Sequence, residues 1–326
     1  MLESLDQKRL IFVTGKGGVG KSTCTAALAL ALAKRGRRVL VVETDAYSAM
    51  SVILGAPESE HTIIDVGHGL HAINLRSAQS LVETLTRYLP SERVVKAITQ
   101  NRVTHSFFDS APSVSEFVLL DKIMSLLDDK DNHWDHIVVD LPASGHAVTF
   151  LSVPKTLNGM MKGVGPIAKR AQDVDAMIAS TTRAAIVAIC LPEEMPVNET
   201  IELSANLKKT LGRGLDLTLV NMVHDRPVDE DAEDDFERAS MRLRIRTNPT
   251  GVLADSSVAA PLRVLAGNQL SLKWFKRDQI YLGLLRKNLK CEIVELPMVY
   301  KIKERDIVDE LASHLNTDPD PASLAS

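Results

Sequence analysis

Cysteine is scarce in this chain: Cys24, Cys190 and Cys291 are the only three in 326 residues, and they stand far apart. Without a CxxC pair, neither a disulfide framework nor a cysteine zinc site is expected, and buried thiols in a reducing compartment are. No apolar run approaches the ~20 residues that span a bilayer, so no stable membrane anchor is expected. The opening Met1-Leu2-Glu3-Ser4-Leu5-Asp6-Gln7-Lys8 has no basic stretch followed by an apolar one, so no signal peptide is expected. Excess positive charge is also lacking. The net charge of -4 predicts no nucleic-acid partner. Internal repeats are absent, as is a second phosphate loop. What remains is a cytoplasmic globular protein with ordinary proportions, 45% apolar and 25% charged residues, and room for one large α/β domain or two small ones.

Strand and helix patterns alternate along the chain. That predicts a doubly wound, mainly parallel sheet with helices on both faces. The candidate strands are 9–14, 38–43, 70–75, 136–141, 184–191, 215–222 and 291–296. Several are near-continuous apolar runs, as strands buried on both faces should be. Two longer stretches, 77–130 and 149–182, carry helical spacing. They read either as a helical layer over one edge of the sheet or as plain crossover helices. The acidic run Asp225 to Glu237, followed by Arg242, Arg244 and Arg246, reads as a solvated loop or surface helix. The expected domain is 1–316, with 317–326 a disordered tail.

The most informative stretch is Gly15-Lys16-Gly17-Gly18-Val19-Gly20-Lys21-Ser22, followed by Thr23. It fits the phosphate-loop pattern G-x-x-x-x-G-K-[ST], preceded by a buried strand and followed by an Ala/Leu-rich helix over Ser22 to Arg35. Glycines let the backbone turn tightly and aim N–H groups at phosphate oxygens. Lys21 is placed to reach the β- and γ-phosphates, and the Ser22 hydroxyl to ligate Mg²⁺. The expected cofactors are therefore ATP and Mg²⁺.

Phosphoryl transfer also needs a metal anchor, a group that places the attacking water, and neutralisation of the γ-phosphate. Asp140 ends the strand Val138-Val139-Asp140, at the carboxyl edge where a Mg²⁺-shell acid belongs, directly or in the second shell. Beyond it, Leu141-Pro142-Ala143-Ser144-Gly145-His146 reads as a flexible turn whose Gly145 N–H senses the γ-phosphate. Asp45, after Val41-Val42-Glu43-Thr44, is the candidate for orienting water, with Glu43 as its rival. Lys16 is a second cation that the loop's own nucleotide does not need. It reads either as a surface lysine or as a group supplying charge in trans across a two-fold axis, as an arginine finger does.

Together these residues resemble the deviant-phosphate-loop ATPases, and within them the arsenite-pump and tail-anchored-protein-targeting ATPase family. Gly15 to Ser22 is like that family's loop and includes its signature lysine, Lys16. Thr44-Asp45-Ala46-Tyr47-Ser48 stands where the family's first switch has Asp-Pro-Ala-His. Asp140 to His146, followed by Phe150-Leu151-Ser152-Val153-Pro154, is similar to its second switch. Pro192-Glu193-Glu194 with Pro196-Val197-Asn198-Glu199-Thr200 resembles a Pro-Glu…Glu-Thr segment. Val220-Asn221 resembles the family's adenine-contacting Val-Asn, and Glu295-Leu296-Pro297 its late Leu-Pro loop near the base. Asn221 and Pro297 are thereby implied as nucleotide contacts. Departures are also clear. Ala46 and Ser48 replace the first-switch Pro and His, and the zinc-binding CxxC and the metalloid-binding cysteines are missing. The single half resembles bacterial single-domain members, some of which occur as paralogous pairs. Arsenite stimulation and zinc-bridged pairing therefore do not carry over, whereas ATP-driven pairing does.

The function implied is a dimeric Mg²⁺-ATPase switch, a homodimer or a heterodimer with a paralogue, whose helical layers engage a protein or membrane-protein client. Met160, Met161 and Met177 are candidates to line a client groove, with core packing as the alternative. A spatial organiser that binds membrane or DNA is the rival reading. It fits poorly, because Asp306 to Leu315 carries Asp306, Asp309 and Glu310 where anionic lipid would demand lysines and arginines. A small-molecule synthetase on the same fold is the third reading.

Overall fold

The computed structural model describes residues 2–44, 48–58, 60–88, 112–162, 164–229, 233, 238 and 256–317. Eight strands form one sheet in the order β3-β4-β2-β5-β1-β6-β7-β8. They are β1 (Leu10–Gly15), β2 (Val39–Glu43), β3 (Ile64–Gly67), β4 (Leu70–Asn74), β5 (His136–Asp140), β6 (Ala184–Cys190), β7 (Leu217–Val223) and β8 (Glu292–Pro297). Every neighbouring pair is parallel except β3–β4, an edge hairpin. Each expected strand is present within two residues of its expected ends. The unexpected one is β3, a four-residue edge strand that is only half-buried and leads into Gly67-His68-Gly69.

The helices are α1 (Lys21–Lys34), α2 (Ala49–Leu54), α3 (Ser77–Tyr88), α4 (Pro112–Leu127), α5 (Ser144–Met160), α6 (Pro166–Ala179), α7 (Glu194–Leu211), α8 (Ser256–Asn288) and α9 (Glu304–Asn316). Side chains of a strand alternate between faces, so the continuous apolar runs must be covered on both. Ile11, Val13, Val39, Val41 and Val138 face one core with α1, α2 and α9. Leu10, Phe12, Leu40, Val42, Ile137 and Val139 face the other with α4, α5, α6 and α7. α8 closes the β7–β8 end through Leu282 and Leu285, with Leu289 just beyond it.

The described helices of the two long stretches, α3 to α6, lie on that second side. α4, α5 and α6 also share a small cluster of their own, Phe117, Val153 and Ala171. Among the three methionines, Met177 is buried in the sheet-facing core, whereas Met160 is exposed, as is Val164 after α5. The apolar face of α9 (Val308, Leu311, Ala312, Leu315) is packed into the first core, which leaves it no face for a lipid surface. Among the described residues no helix is long and apolar enough to cross a membrane.

Candidate nucleotide site

All parallel strands discharge at one edge, and the loop Lys16–Gly20 lies there between β1 and α1. Glycine is demanded here for two different reasons. Gly18 and Gly20 adopt φ of +88° and +81°, where a side chain is strained. A Cβ on Gly15 would sit 2.5 Å from the Ile189 carbonyl oxygen of the neighbouring strand. Gly17 has neither a positive φ nor any protein atom within 4 Å of a Cβ. Among the described residues nothing crowds a side chain there, so the surface over Gly17 is open.

α1 begins at Lys21 with no side chain capping its N-terminus. Its first N–H groups, together with the helix dipole, face the loop as an anion site. The first turn also meets a buried acid. Lys21 Nζ forms an ion pair with Asp140 Oδ1, Ser22 Oγ donates to Asp140 Oδ2 at 2.7 Å, and Thr25 Oγ1 lies 3.4 Å from Oδ1. Asp140 is only 2% exposed. β5 places it there by pairing beside β1, with Val13 and Asp140 in register. A carboxylate beside a hydroxyl supplies hard oxygen donors, the set that suits Mg²⁺ when phosphates and waters complete the shell. Thr23 stands in the same turn, half-buried. Below it, the Cys24 thiol is pushed up to about 12 by burial and then by the Asp140 charge, so it stays a packed thiol.

The second switch departs from the flexible turn expected through His146. Only Leu141 to Ala143 lack regular structure, and α5 starts at Ser144. Threonines at the ends of β1 and β2 hold this connection. Thr14 Oγ1 donates to the Pro142 carbonyl and Thr44 Oγ1 to the Asp140 carbonyl, each at 3.2 Å. Gly145 is exposed in the first turn of α5, a helix with no side-chain N-cap. Its amide is thus in the set that a helix leaves for outside acceptors.

Asp45 lies outside the described residues. Its rival Glu43 is 2% exposed and committed: its carboxylate accepts from the Ala49 amide at 2.7 Å, the Met50 amide at 3.4 Å and Asn74 Nδ2 at 3.1 Å. Burial pushes the Glu43 carboxyl above its ordinary range, and the Ala49 amide pulls the other way. Glu43 therefore anchors the start of α2. Lys16 is half-buried and pairs with Glu199 of α7, Nζ to Oε1 2.6 Å. Asn221 is 4% exposed in β7 and donates from Nδ2 to the Val19 carbonyl at 3.1 Å. Pro297 ends β8 next to Val223. Sequence reading had no signal for Thr25 or the two switch-holding threonine contacts, since each joins residues far apart in the chain.

The comparisons agree with this geometry. The model of the family described as anion-transporting ATPase matches residues 8–170, which include the loop, Asp140 and the helices α3 to α5. The ATPase BagA of Mycobacterium tuberculosis is 31% identical over 203 residues, 60% of this chain and 59% of the relative. The ATPase GET3 of Malassezia globosa is 26% identical over 238 residues, 62% of this chain and 70% of the relative. The arsenical pump-driving ATPase of Acidiphilium multivorum is 29% identical over 150 residues, 44% of this chain and 25% of the relative. The chain thus spans about three-fifths of the mycobacterial relative that it matches. With half the chain inside that family model, and the loop and the acid Asp140 at one sheet edge, the protein belongs to the anion-transporting ATPase family.

Proposed function

We propose that this chain binds and hydrolyses Mg²⁺-ATP and uses the cycle to join and then separate a pair of ATPase subunits, thereby controlling a protein or membrane-protein client. The observation that carries the reading is the convergence of Lys21, Ser22 and Thr25 on the buried Asp140, directly beside a glycine-rich loop that is open at Gly17. Backbone amides of Gly15 to Ser22 cradle the phosphates, and Lys21 exchanges Asp140 for the β- and γ-phosphates. Ser22 would hold Mg²⁺, with Asp140 ordering the hydroxyl or the metal's waters, and the ion would neutralise charge on the transferring group. Asp45 orients the attacking water. The Gly145 amide reads the γ-phosphate and passes its loss to α5. Asn221 and Pro297 border the base.

Lys16 leaves Glu199 to reach the nucleotide of a second subunit, either another copy of this chain or a paralogue. The helical subdomain over 77–130 and 149–182 then moves and presents its exposed apolar positions, Met160 and Val164, to the client.

Two measurements test this. Phosphate release should require Mg²⁺ and fall at least tenfold in Asp45→Asn. Light scattering with Mg²⁺-ATP, with ADP and without nucleotide should show a dimer with ATP alone, lost in Lys16→Ala. A chain that binds no ATP sinks the reading entirely. A monomer under all three conditions removes the homodimer and leaves pairing with a paralogue. A dimer indifferent to nucleotide and to Lys16 removes the switch.

A further inference from the structure

The end of β7 is built in a way that base contact alone does not explain. Its pairing with β8 slips between Val220 and Val223, and Met222 takes a φ of +57°, a conformation unfavourable for a side chain with a Cβ. Such a bulge re-aims the side chain beside it. Here the neighbour is Asn221, whose amide nitrogen is 3.1 Å from the Val19 carbonyl in the phosphate loop, in a buried contact. The facing group must be the NH₂, because a carbonyl oxygen only accepts. The same nitrogen lies 2.5 Å from where a Cβ on Gly20 would be, so the loop is closed down onto Asn221 with no room between them.

The strand exit is itself fastened. Asp278, fully buried in α8, accepts from the His224 backbone N–H at 3.0 Å and lies 2.7 Å from His224 Nδ1. Arg277 donates to the other Asp278 oxygen at 2.9 Å. On the far side Gly15, the last residue of β1, pairs with Ile189 of β6, which fixes the start of the loop. The loop is therefore held between β6 and β7, and on the β7 side the bond from Asn221 is what holds it.

We infer that Asn221 is a positioning residue for the phosphate loop: it fixes the Val19–Gly20 segment in its phosphate-receiving shape whether or not a base is bound. The remaining N–H and the oxygen of the same amide are not needed for that bond and stay available to a base edge. One side chain thus links the two ends of the nucleotide. This inference rests on the nucleotide-binding reading above.

The test uses a ligand that has phosphates and no base. Titration calorimetry with Mg²⁺-tripolyphosphate, Mg²⁺-ATP and Mg²⁺-GTP would compare wild type with Asn221→Ala. Loss of one buried hydrogen bond should weaken tripolyphosphate about fivefold, and ATP by at least as much. In the ligand-free protein, hydrogen exchange of a 15–22 peptide should quicken by a similar factor while a β1 peptide is unchanged. A structural defect elsewhere would not produce that local pattern. Tripolyphosphate binding within twofold of wild type, with only the preference for ATP over GTP lost, would make Asn221 a base reader and overturn the inference. Should Asn221→Ala not fold, Asn221→Ser keeps a polar group too short to reach Val19, and the same two outcomes apply. A wild type that binds ATP and tripolyphosphate while the variant matches it sinks this inference alone. A wild type that binds neither sinks the nucleotide reading and the inference with it.

Discussion

Two buried aspartates, Asp140 at the sheet edge and Asp121 in the helical layer, are treated in opposite ways by their surroundings. Asp121 is fully buried on α4 and is saturated from two other helices. Thr84, Arg87 and Tyr88 of α3 donate to it at 2.9, 2.8 and 3.2 Å, and Arg170 of α6 at 2.8 Å. Arg170 reaches on to Asp128 and Ser125. Asp140 is equally hidden, yet its partners include one lysine and two hydroxyls from the start of α1, beside the loop. Guanidinium forks from several elements lock a carboxylate in place. A lysine and a serine hydroxyl at a loop mouth are groups that a phosphate and a metal ion can recruit. On the proposed function, the difference between a structural acid and a working one lies in how exchangeable the partners are, since burial is the same.

The comparison breaks most visibly at Asp121. Replacing it by alanine strips Arg170, 17% exposed, of its buried carboxylate, leaves it the exposed Asp128, and unties α3, α4 and α6 together. Removing one member of a buried charge cluster costs about 3–5 kcal/mol. Urea unfolding of Asp121→Ala should show a loss in that range, while the folded fraction keeps its affinity for ATP. A loss below about 1 kcal/mol would mean that the cluster is solvated and that the contrast is false.

Asp140→Asn should do the reverse. The amide preserves shape, and Lys21 is free to turn toward the loop, so stability should shift by no more than about 1 kcal/mol. Groups that order a metal's ligands typically carry about 10- to 100-fold in affinity or activity. Mg²⁺-dependent phosphate release should fall by that factor. An unchanged rate with lowered stability would move Asp140 into the class of Asp121.

The Lys16–Glu199 pair sharpens the comparison at an intermediate point. Both side chains keep about a third of their surface in solvent, 27% and 36%. A pair of that exposure contributes under about 1 kcal/mol. Glu199→Gln should therefore leave the melting temperature nearly unchanged while easing the release of Lys16, so that dimer forms at lower ATP concentration by light scattering. An undiminished ATP requirement would show that the contact places no hold on Lys16.

How much of this was legible in the sequence depends on the range over which each feature is encoded. The strands around Asp140 are written locally, as apolar runs that need cover on both faces, and so they read correctly almost to the residue. The loop is legible because phosphate chemistry constrains consecutive residues. β3 was not, because a four-residue edge strand with three half-buried positions and an exposed Asp65 has no apolar run to betray it. α8 escaped because a 33-residue helix that buries Leu272, Asp278, Leu282 and Leu285 has a narrow and partly charged inner face. Residues brought to one point from afar are the least legible. Asn221 read as a base contact by resemblance, while its bond to Val19 spans 202 positions and depends on a bulge that no local pattern announces.

The smallest effect is expected from a third acid, Glu83 of α3, which lies between the two extremes. Lys122 donates to its Oε2 at 2.6 Å and His61 Nε2 lies 3.0 Å from Oε1, so α3 is tied to α4 and to the segment before β3. Burial raises the carboxyl's pKa, but the Lys122 ammonium and the His61 ring together outweigh it and hold Glu83 below its ordinary 4.5. A carboxyl depressed in the folded state binds fewer protons there than in the unfolded chain. Its contribution is then present above the unfolded value and lost as pH falls through the folded one. The side chain is 39% exposed, so solvent screens the pair and the contribution stays under about 1 kcal/mol. Wild type should therefore melt slightly above Glu83→Gln at pH 7, with the gap closing as pH falls below about 4.5. Neither Asp140→Asn nor Glu199→Gln should alter that closing, because their acids pair with other cations. A gap that stays constant down to about pH 3 would show that Glu83 works by packing rather than by charge, and would place it with neither of the two buried aspartates.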